Sequence, residues 1–477
     1  MAMNLGDRLR QVISPGRTGL PGRTGVEGGQ GSRAVPRVAA DTPPPQGPGF
    51  GRGVMDVAID APAEAGAFNG HHLADVLAGE WVESREGAVL VVDRYYAADR
   101  MHGRVRVGDV VETIQAGVDP LHVLGRAWPG REPRLYTSKL CFFDLETTGL
   151  AGGAGTQAFL IGCAVLEDGG IRVRQYLLPG FQHERALLSM VAEWIAAQGT
   201  LVTFNGRSFD VPLIETRYLL HRLSFPFAEM PHLDMLHPAR RLWKQRPTIA
   251  GPALDDESCK LSVLERHLAG YHRVGDVPGF EIPSRYFRFV RTGDAHGLEA
   301  VLEHNRIDLI SLALVTARAL RLIARGPNAA DHPREALGLG RVYERSGSSD
   351  DAEASFSWAA ALAARVGREP DVRGEALRRL ALCRRRAGRM LEAAAAWEEL
   401  LTVPGCPMVL RREAREALAI HHEHRSRDLR TARTMMLDVL AENAGARARE
   451  AAKYRLQRIE RKMAVRDQGG LMAALED

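Results

Sequence analysis

Apolar residues in the middle of the chain alternate between short continuous runs and helical periodicity. Leu140 to Phe143 is an apolar run that continues through Asp144, Leu145 and Glu146, a pattern typical of a central strand. Further strands are predicted at Phe159 to Val165, Ile171 to Leu178 and Leu201 to Phe204, and helices at Glu184 to Ala197, Val211 to Leu223, Leu233 to Trp243, Leu261 to Leu268 and Leu298 to Leu322. Three strands followed by alternating helices and strands indicate an α/β domain with a mixed sheet over residues 138–325.

The regions on either side of this domain have different patterns. Upstream, short β-type runs such as Ala88 to Val92 and Val105 to Val111 alternate with turn residues, so we expect residues 68–137 to form a small β-rich accessory module. Downstream, Gly326-Pro327-Asn328 breaks the long helix, and residues 333–464 are helical in pattern throughout. The chain therefore combines an α/β core with an all-α region.

The all-α region is self-similar. Leu339, Gly340, Gly347 and Ala352 are followed 41 residues later by Leu380, Ala381, Gly388 and Ala393, and a looser third unit covers Arg415 to Val439. Small residues where paired helices cross, with a turn glycine between them, resemble the tetratricopeptide repeat, whose period is about 34 residues. The longer spacing predicts an insertion near residues 367–371. Such repeats present a concave face, on which the run Arg384 to Arg386 is either a nucleic-acid contact or a solvated helix surface.

Composition separates the ends of the chain from its globular body. A length of 477 residues predicts about three domains at roughly 150 residues each. Twelve of the 48 glycines and seven of the 25 prolines lie in residues 1–53, so we expect residues 1–67 to be a disordered tail and residues 465–477 to be a short C-terminal one. The sequence has neither a long apolar stretch nor a secretory leader pattern, which makes the cytoplasm the expected location.

Cysteine spacing and charge exclude several classes of function. The five cysteines are far apart and form no C-x-x-C pair, which argues against structural zinc and against a disulfide framework. With 63 basic and 59 acidic residues, the net charge of +4 is too small for general attraction to polyanions. Any nucleic-acid contact must therefore come from local patterning.

Two carboxylates lie at the end of the first strand predicted for the α/β domain. Asp144 and Glu146 are two positions apart, so both side chains point to the same face of the sheet. Because two buried carboxylates repel each other unless a cation lies between them, the pair favours metal binding. Mg²⁺ and Mn²⁺ take oxygen ligands, and two ions about 4 Å apart can clamp the attacking and leaving oxygens of a phosphoryl transfer.

Other polar residues lie at comparable positions. Asp210 follows the strand at Leu201 to Phe204 and leads into a helix, where taken alone it is explained by an ordinary N-cap. His304 and Asp308 are four residues apart and share a helix face, as a purely structural pair would also do. Asp234 is either a second candidate for orienting metal-bound water or a turn residue.

Taken together, these segments resemble a known nuclease superfamily. The DEDD superfamily of 3′–5′ exonucleases shares the ribonuclease H-like fold and has three exonuclease motifs. Three segments of this chain resemble these motifs in the same order: Phe143-Asp144-Leu145-Glu146-Thr147-Thr148-Gly149-Leu150, then Asn205 through Asp210, then His304-Asn305-Arg306-Ile307-Asp308. Within the superfamily, residues 152–159 and 276–283 are most similar to the bacterial YprB-like family, which pairs this domain with tetratricopeptide-like repeats.

The resemblance implies a fold, a metal site and a reaction. It implies a ribonuclease H-like mixed sheet flanked by helices, and a 3′–5′ exonuclease that releases nucleotide 5′-monophosphates with two ions of Mg²⁺ or Mn²⁺. In the implied site, Asp144 bridges both ions, Glu146 and Asp308 complete the first ion site, and Asp210 holds the second ion. His304 orients or deprotonates the attacking water. The substrate is positioned by Thr147, Leu150 and Asn205. In the histidine branch of the superfamily the general base lies five residues before the last aspartate, whereas His304 lies four before Asp308.

Three functions are compatible with these observations. One is a nuclease acting on single-stranded or frayed ends, with helical repeats that recruit a protein partner or guide the substrate. The others are an interaction scaffold that binds nucleic acid but cuts poorly, and internal cutting in the manner of ribonuclease H. Carboxylates at all four positions favour the enzyme. The sequence does not distinguish DNA from RNA, because contact with a 2′-hydroxyl leaves no short motif here.

Overall fold

The computed structural model describes residues 70–126, 136–149, 155–244, 259–442 and 445–473. These residues belong to one compact unit that spans Glu64–Asp477. The tail expected at residues 1–67 lies outside the described residues. Within the described ranges, no helix is both long enough and apolar enough to cross a membrane.

A mixed sheet of seven strands forms the centre of the described structure. The strands are β1 (Glu80–Ser84), β2 (Gly87–Tyr96), β5 (Leu140–Thr147), β6 (Ala158–Glu167), β7 (Gly170–Leu177), β8 (Thr200–Thr203) and β9 (His232–Asp234), in the order β1-β2-β7-β6-β5-β8-β9. The contacts of β5 with β8 and of β8 with β9 are parallel, and the other neighbours are antiparallel. A separate two-stranded hairpin consists of β3 (Met101–His102) and β4 (Val105–Arg106).

Helices cover both faces of this sheet. They are α1 (Gly70–Leu77), α2 (Val107–Gln115), α3 (Asp119–Arg126), α4 (Glu184–Ile195), α5 (Asp210–Leu220), α6 (Leu236–Leu242), α7 (Leu261–Ala269), α8 (Ile282–Thr292) and α9 (His296–Arg325). Alternate residues of β5 enter different cores: Phe142 packs in one hydrophobic cluster, and Cys141 and Phe143 pack in the other. A mixed sheet between two helical layers is the predicted α/β arrangement, and it fits a ribonuclease H-like fold.

The segment expected to be a separate β-rich module is instead part of this architecture. Strand β2 pairs antiparallel with β7, and β1 extends the sheet beyond it. The run Val105 to Val111, predicted as a strand, is helical from Val107 onward. Val107, Val110, Val111 and Ile114 are all buried, and their spacing of three and four residues forms one helix face. The periodicity of these valines was therefore helical, although their β-branched side chains favour strands.

Two further differences lie in the α/β domain. The helix predicted over Leu233 to Trp243 is preceded by β9, so Leu233 is in a strand and α6 begins at Leu236. Helix α8 was not predicted. Strand β9 has only three residues, which is too few to show a hydrophobic period. It forms a strand because it pairs with β8.

Three antiparallel helix pairs and one final helix follow the α/β domain in the described part of the chain. They are built from α10 (Pro333–Ser346), α11 (Ser349–Val366), α12 (Pro370–Arg386), α13 (Met390–Thr402), α14 (Met408–His421), α15 (Leu429–Ala441) and α16 (Ala446–Ala473). Residues 367–369, near the expected insertion, connect α11 to α12, and these two helices have 18 and 17 residues. Helix α16 continues through Ala473, so part of the expected C-terminal tail is helical.

Four of the arginine–glutamate pairs that connect successive helix pairs join residues 35 positions apart. These pairs are Arg334–Glu369, Arg379–Glu344, Arg378–Glu413 and Arg458–Glu423, with N–O distances of 2.5–2.8 Å. In the run Arg384 to Arg386, Arg384 contacts Glu353 and Arg386 contacts Glu344. Many of the arginines in this region therefore serve the packing of the helices.

Candidate active site

The candidate site lies at the C-terminal end of β5. Asp144 and Glu146 lie on this strand, which has β6 on one side and the parallel strand β8 on the other. Asp144 is partly buried, and Glu146 is buried with 9% of its surface exposed. Helix α9 crosses the sheet here and brings His304 and Asp308 to the same end.

A buried amide holds the Asp144 side chain in place. Asn305, which is fully buried, donates from Nδ2 to Asp144 Oδ2 over 2.8 Å. Its Oδ1 accepts a hydrogen bond of 2.9 Å from Gln175 Nε2, which also donates to the Leu302 carbonyl. Gly162 on β6 leaves the space for this amide, since a Cβ there would lie 2.1 Å from Asn305 Oδ1. The orientation of Asp144 thus depends on three neighbouring elements.

Asp234 anchors the loop that carries Asp210. Its carboxylate accepts hydrogen bonds from the backbone N–H groups of Asn205 at 2.8 Å and of Arg207 and Leu236 at 3.1 Å. Asn205 has a φ of 69°, a left-handed conformation that asparagine tolerates better than most residues. The loop then leads to Asp210 at the first position of α5. Asp234 is therefore engaged in holding this loop, which favours its structural interpretation.

The other residues predicted to contact substrate are only partly described. Thr147 Oγ1 donates to the Gly149 carbonyl over 2.9 Å and so closes the turn after β5. Leu150 lies outside the described residues. The substrate contacts predicted for Thr147, Leu150 and Asn205 stay predictions.

The four acidic side chains share one negatively charged environment. Burial raises the pKa of Asp144 well above its usual range, and the charges of Asp308, Glu146 and Asp210 add to this rise. Burial likewise raises the pKa of Glu146, and Asp308 and Asp210 again contribute. For Asp210, burial raises the pKa to about 7. The contributions of Asp308 and Asp210 to both strand residues indicate that α9 and α5 bring their carboxylates within electrostatic range of Asp144 and Glu146 on β5.

Asp308 differs from the other three acids because it has a cationic neighbour. Its Oδ1 accepts a hydrogen bond from Arg273 Nη2, and its Oδ2 lies 3.6 Å from His304 Nε2. Arg273 is buried and is itself held by Glu265, with Nε–Oε1 and Nη2–Oε2 distances of 2.7 and 3.0 Å. Among the described residues, no ion pair joins Asp144, Glu146 or Asp210 to a basic side chain.

Comparison with known proteins agrees with this geometry. A family model described as RNase_H superfamily matches residues 141–320, which include most of β5, most of α9 and all four acids. The chain is also 30% identical over 328 residues to "Uncharacterized protein YprB" of Bacillus subtilis (strain 168), a match that covers 68% of this chain and 75% of that protein. The chain belongs to the YprB family. Its RNase_H superfamily domain suggests a nuclease-type hydrolase that binds and acts on nucleic acid.

The donor atoms of this YprB-family site fit a hard divalent cation. Nucleases with this fold generally use such ions, and the donors here are carboxylate oxygens, which Mg²⁺ and Mn²⁺ prefer. In the described part of the chain, no three His, Cys, Asp or Glu side chains are close enough to surround one ion. Uncompensated carboxylates repel one another, and a cation between them removes this repulsion. Binding an ion would require these side chains to draw closer together.

Sequence reasoning missed the residues that support this site in the YprB-family chain. Asn305 lies inside the third motif beside His304, so its position in the motif could have flagged it. Gln175, Arg273 and Glu265 gave no comparable signal. Each reaches the site from an element that is distant in sequence, as the 130-residue separation of Gln175 and Asn305 illustrates.

Proposed function

We propose that this protein is a DEDD-type 3′–5′ exonuclease that hydrolyses phosphodiester bonds of DNA or RNA and releases nucleotide 5′-monophosphates. The observation that carries the proposal is the convergence of Asp144, Glu146, Asp210 and Asp308 from three separate elements. Burial raises the pKa values of Asp144, Glu146 and Asp210, and the charges of neighbouring acids add to the rise. Such an arrangement costs stability in the free protein, and a function that uses shared cations explains why it is present.

The proposed roles are those that the resemblance to the DEDD exonucleases implies for these positions. Asp144, Glu146 and Asp308 would hold one divalent ion, and Asp144 and Asp210 the second. When bound, the two ions supply positive charge that stabilises the attacking and leaving oxygens. Asn305 keeps Asp144 oriented through its 2.8 Å hydrogen bond. His304, whose Nε2 faces Asp308, accepts a proton from the attacking water.

The helical region is proposed to be tetratricopeptide-like and to recruit a protein partner or guide the substrate. Arginine–glutamate pairs recur between residues 35 apart, close to the period of about 34 residues that is usual for that repeat. Turn glycines Gly347 and Gly388 have φ values of 88° and 79°, as expected between paired helices. In the third unit Arg427 occupies the corresponding turn, with a φ of 55°.

The test is cleavage of end-labelled nucleic acid. Purified protein is incubated with 5′-labelled DNA and RNA, single- and double-stranded, in Mg²⁺, Mn²⁺ or EDTA. We expect a ladder that shortens from the 3′ end, needs the metal and disappears in Asp144→Asn. Asp294→Asn is the matched control, because Asp294 lies in an exposed pair with His296 just before α9. Internal cuts would instead indicate an endonuclease, and binding without cleavage under every condition would indicate a scaffold.

Metal binding is tested without turnover. Calorimetric titration of the metal-free protein with Mn²⁺ should give two sites for the wild type and weaker binding for Asp144→Asn. Unchanged Mn²⁺ binding in that variant would place the metal elsewhere and contradict the proposed roles.

A further inference from the structure

The His304 ring lies between two aspartates, and only Asp276 is within hydrogen-bonding distance. Its Nδ1 lies 2.6 Å from Asp276 Oδ1, and its Nε2 lies 3.6 Å from Asp308 Oδ2. Asp276 belongs to the segment between α7 and α8, outside the three motifs that contain the four acids. Since an ionised carboxylate has no hydrogen to donate, Nδ1 must carry the hydrogen in this contact. In the neutral ring, Nε2 then carries a lone pair on the side that faces the acidic cluster.

Asp276 is well placed to keep its charge in this contact. Burial acts to raise the pKa of Asp276, but His304, Arg273 and the backbone N–H of Val277 lower it below its ordinary value. The Val277 N–H donates to Asp276 Oδ1 over 3.0 Å, and Arg273 Nη1 lies 3.4 Å from Oδ2. The carboxylate is therefore oriented by its own loop as well as by the histidine.

Arg273 connects this contact to the rest of the site. The Arg273 guanidinium group contacts Asp276 through Nη1 and Asp308 through Nη2. Its Nε also contacts Glu265. The Glu265 carboxylate is buried and also accepts a hydrogen bond from Ser311 on α9. Because the two aspartates share one buried arginine, the position of His304 relative to Asp308 is set by side chains that cannot move independently.

We propose that Asp276 is a positioning residue that holds His304 with hydrogen on Nδ1 and turns Nε2 toward the reacting water. The inference rests on the proposed nuclease function. In that reaction Nε2 takes one proton from the water, the water oxygen bonds to phosphorus, and the bond from phosphorus to the leaving 3′ oxygen breaks. The leaving oxygen then takes a proton from solvent. Anchoring from a loop outside α9 explains how a histidine only four residues before Asp308 can be held in a useful orientation.

The first test compares two aspartate-to-asparagine substitutions. In Asp276→Asn, the amide can donate to Nδ1 as well as accept from it, so the ring is no longer held in one tautomer. We expect kcat to fall about 10- to 100-fold while KM stays within about twofold, which is less than the roughly 100- to 10,000-fold that general acid–base catalysis contributes, because the base is misoriented and not removed. Asp276→Glu should recover part of the activity. Asp294→Asn is the control, since it breaks a similar Asp–His contact of 3.0 Å at an exposed position.

The second test is spectroscopic and needs neither metal nor cleavage. Two-bond ¹H–¹⁵N correlations on metal-free protein labelled with ¹⁵N-histidine at about pH 8.5 report which ring nitrogen carries the hydrogen, with His304→Gln identifying the signal. We expect hydrogen on Nδ1 in the wild type and a shift toward Nε2 in Asp276→Asn. Full activity in Asp276→Asn, or an unchanged His304 tautomer, would overturn the inference. A wild type that shows the expected tautomer but no cleavage would contradict the proposed function and leave the positioning of His304 supported.

Discussion

Replacing Asp210 by asparagine should stabilise the metal-free protein while it weakens the proposed site. Asp210 is the first residue of α5, and burial raises the pKa of its carboxyl group from an ordinary 3.8 to about 7, with the charge of Asp234 contributing. The ionised carboxylate is therefore unfavourable in the folded chain. Asparagine has nearly the same shape and no charge, so it removes this cost.

The magnitude and the pH dependence both follow from this shift. A rise of about three pKa units corresponds to about 4 kcal/mol at a pH above both values. Because the folded-state pKa is higher than the unfolded-state pKa, the cost is nearly absent at about pH 4, grows between about pH 4 and pH 7 and is complete above pH 7. We expect Asp210→Asn to gain about 2 to 4 kcal/mol at pH 8 in EDTA, and almost nothing at pH 4.

Urea unfolding followed by tryptophan fluorescence measures this effect at the two pH values. Asp294→Asn again serves as the control, because the hydrogen bond with His296 lowers the pKa of Asp294 and its replacement should give no gain at pH 8. Mg²⁺ should stabilise the wild type more than Asp210→Asn. Equal stability of the wild type and Asp210→Asn at pH 8, or a difference that does not shrink toward pH 4, would refute the electrostatic reasoning.

Three further substitutions test the supports of the site and of the helical region. Gly162→Ala places a Cβ 2.1 Å from Asn305 Oδ1, so the free energy of unfolding measured by thermal unfolding should fall by about 1–3 kcal/mol and any nuclease rate should fall too. Unchanged values of both would show that Asn305 can move freely. Glu423→Gln removes a buried carboxylate that contacts Arg458 and has a pKa of about 2. Hydrogen exchange in α16 should therefore rise in the variant, and also in the wild type as the pH falls from about 4.5 toward 2. Exchange that is independent of both changes would contradict this. Arg427→Gly relieves a left-handed residue with a φ of 55° and should raise the unfolding free energy by about 1 kcal/mol, whereas a loss would mean that the arginine side chain outweighs the strain.

Local patterns were sufficient for the parts of the fold that depend on near neighbours. The apolar run before Asp144 predicted β5, because a strand buried on both faces needs apolar residues at consecutive positions. The long helix was predicted from its apolar periodicity, and it spans His296–Arg325. The run Val105 to Val111 misled the same reasoning, since β-branched residues and helical spacing predicted different structures and packing decided between them.

The sequence by itself determined where the carboxylates of the proposed site lie, at the ends of predictable elements, and the order of their motifs. Only the tertiary structure decided how these groups are held. Asn305 meets Asp144 and Gln175, and Asp276 meets His304, through contacts between segments 28 to 161 residues apart. Strand β2 likewise joins the sheet through a partner strand some 80 residues away. Periodicity records only neighbours along the chain, whereas the pKa values and orientations of the site depend on burial and on charges that packing brings together.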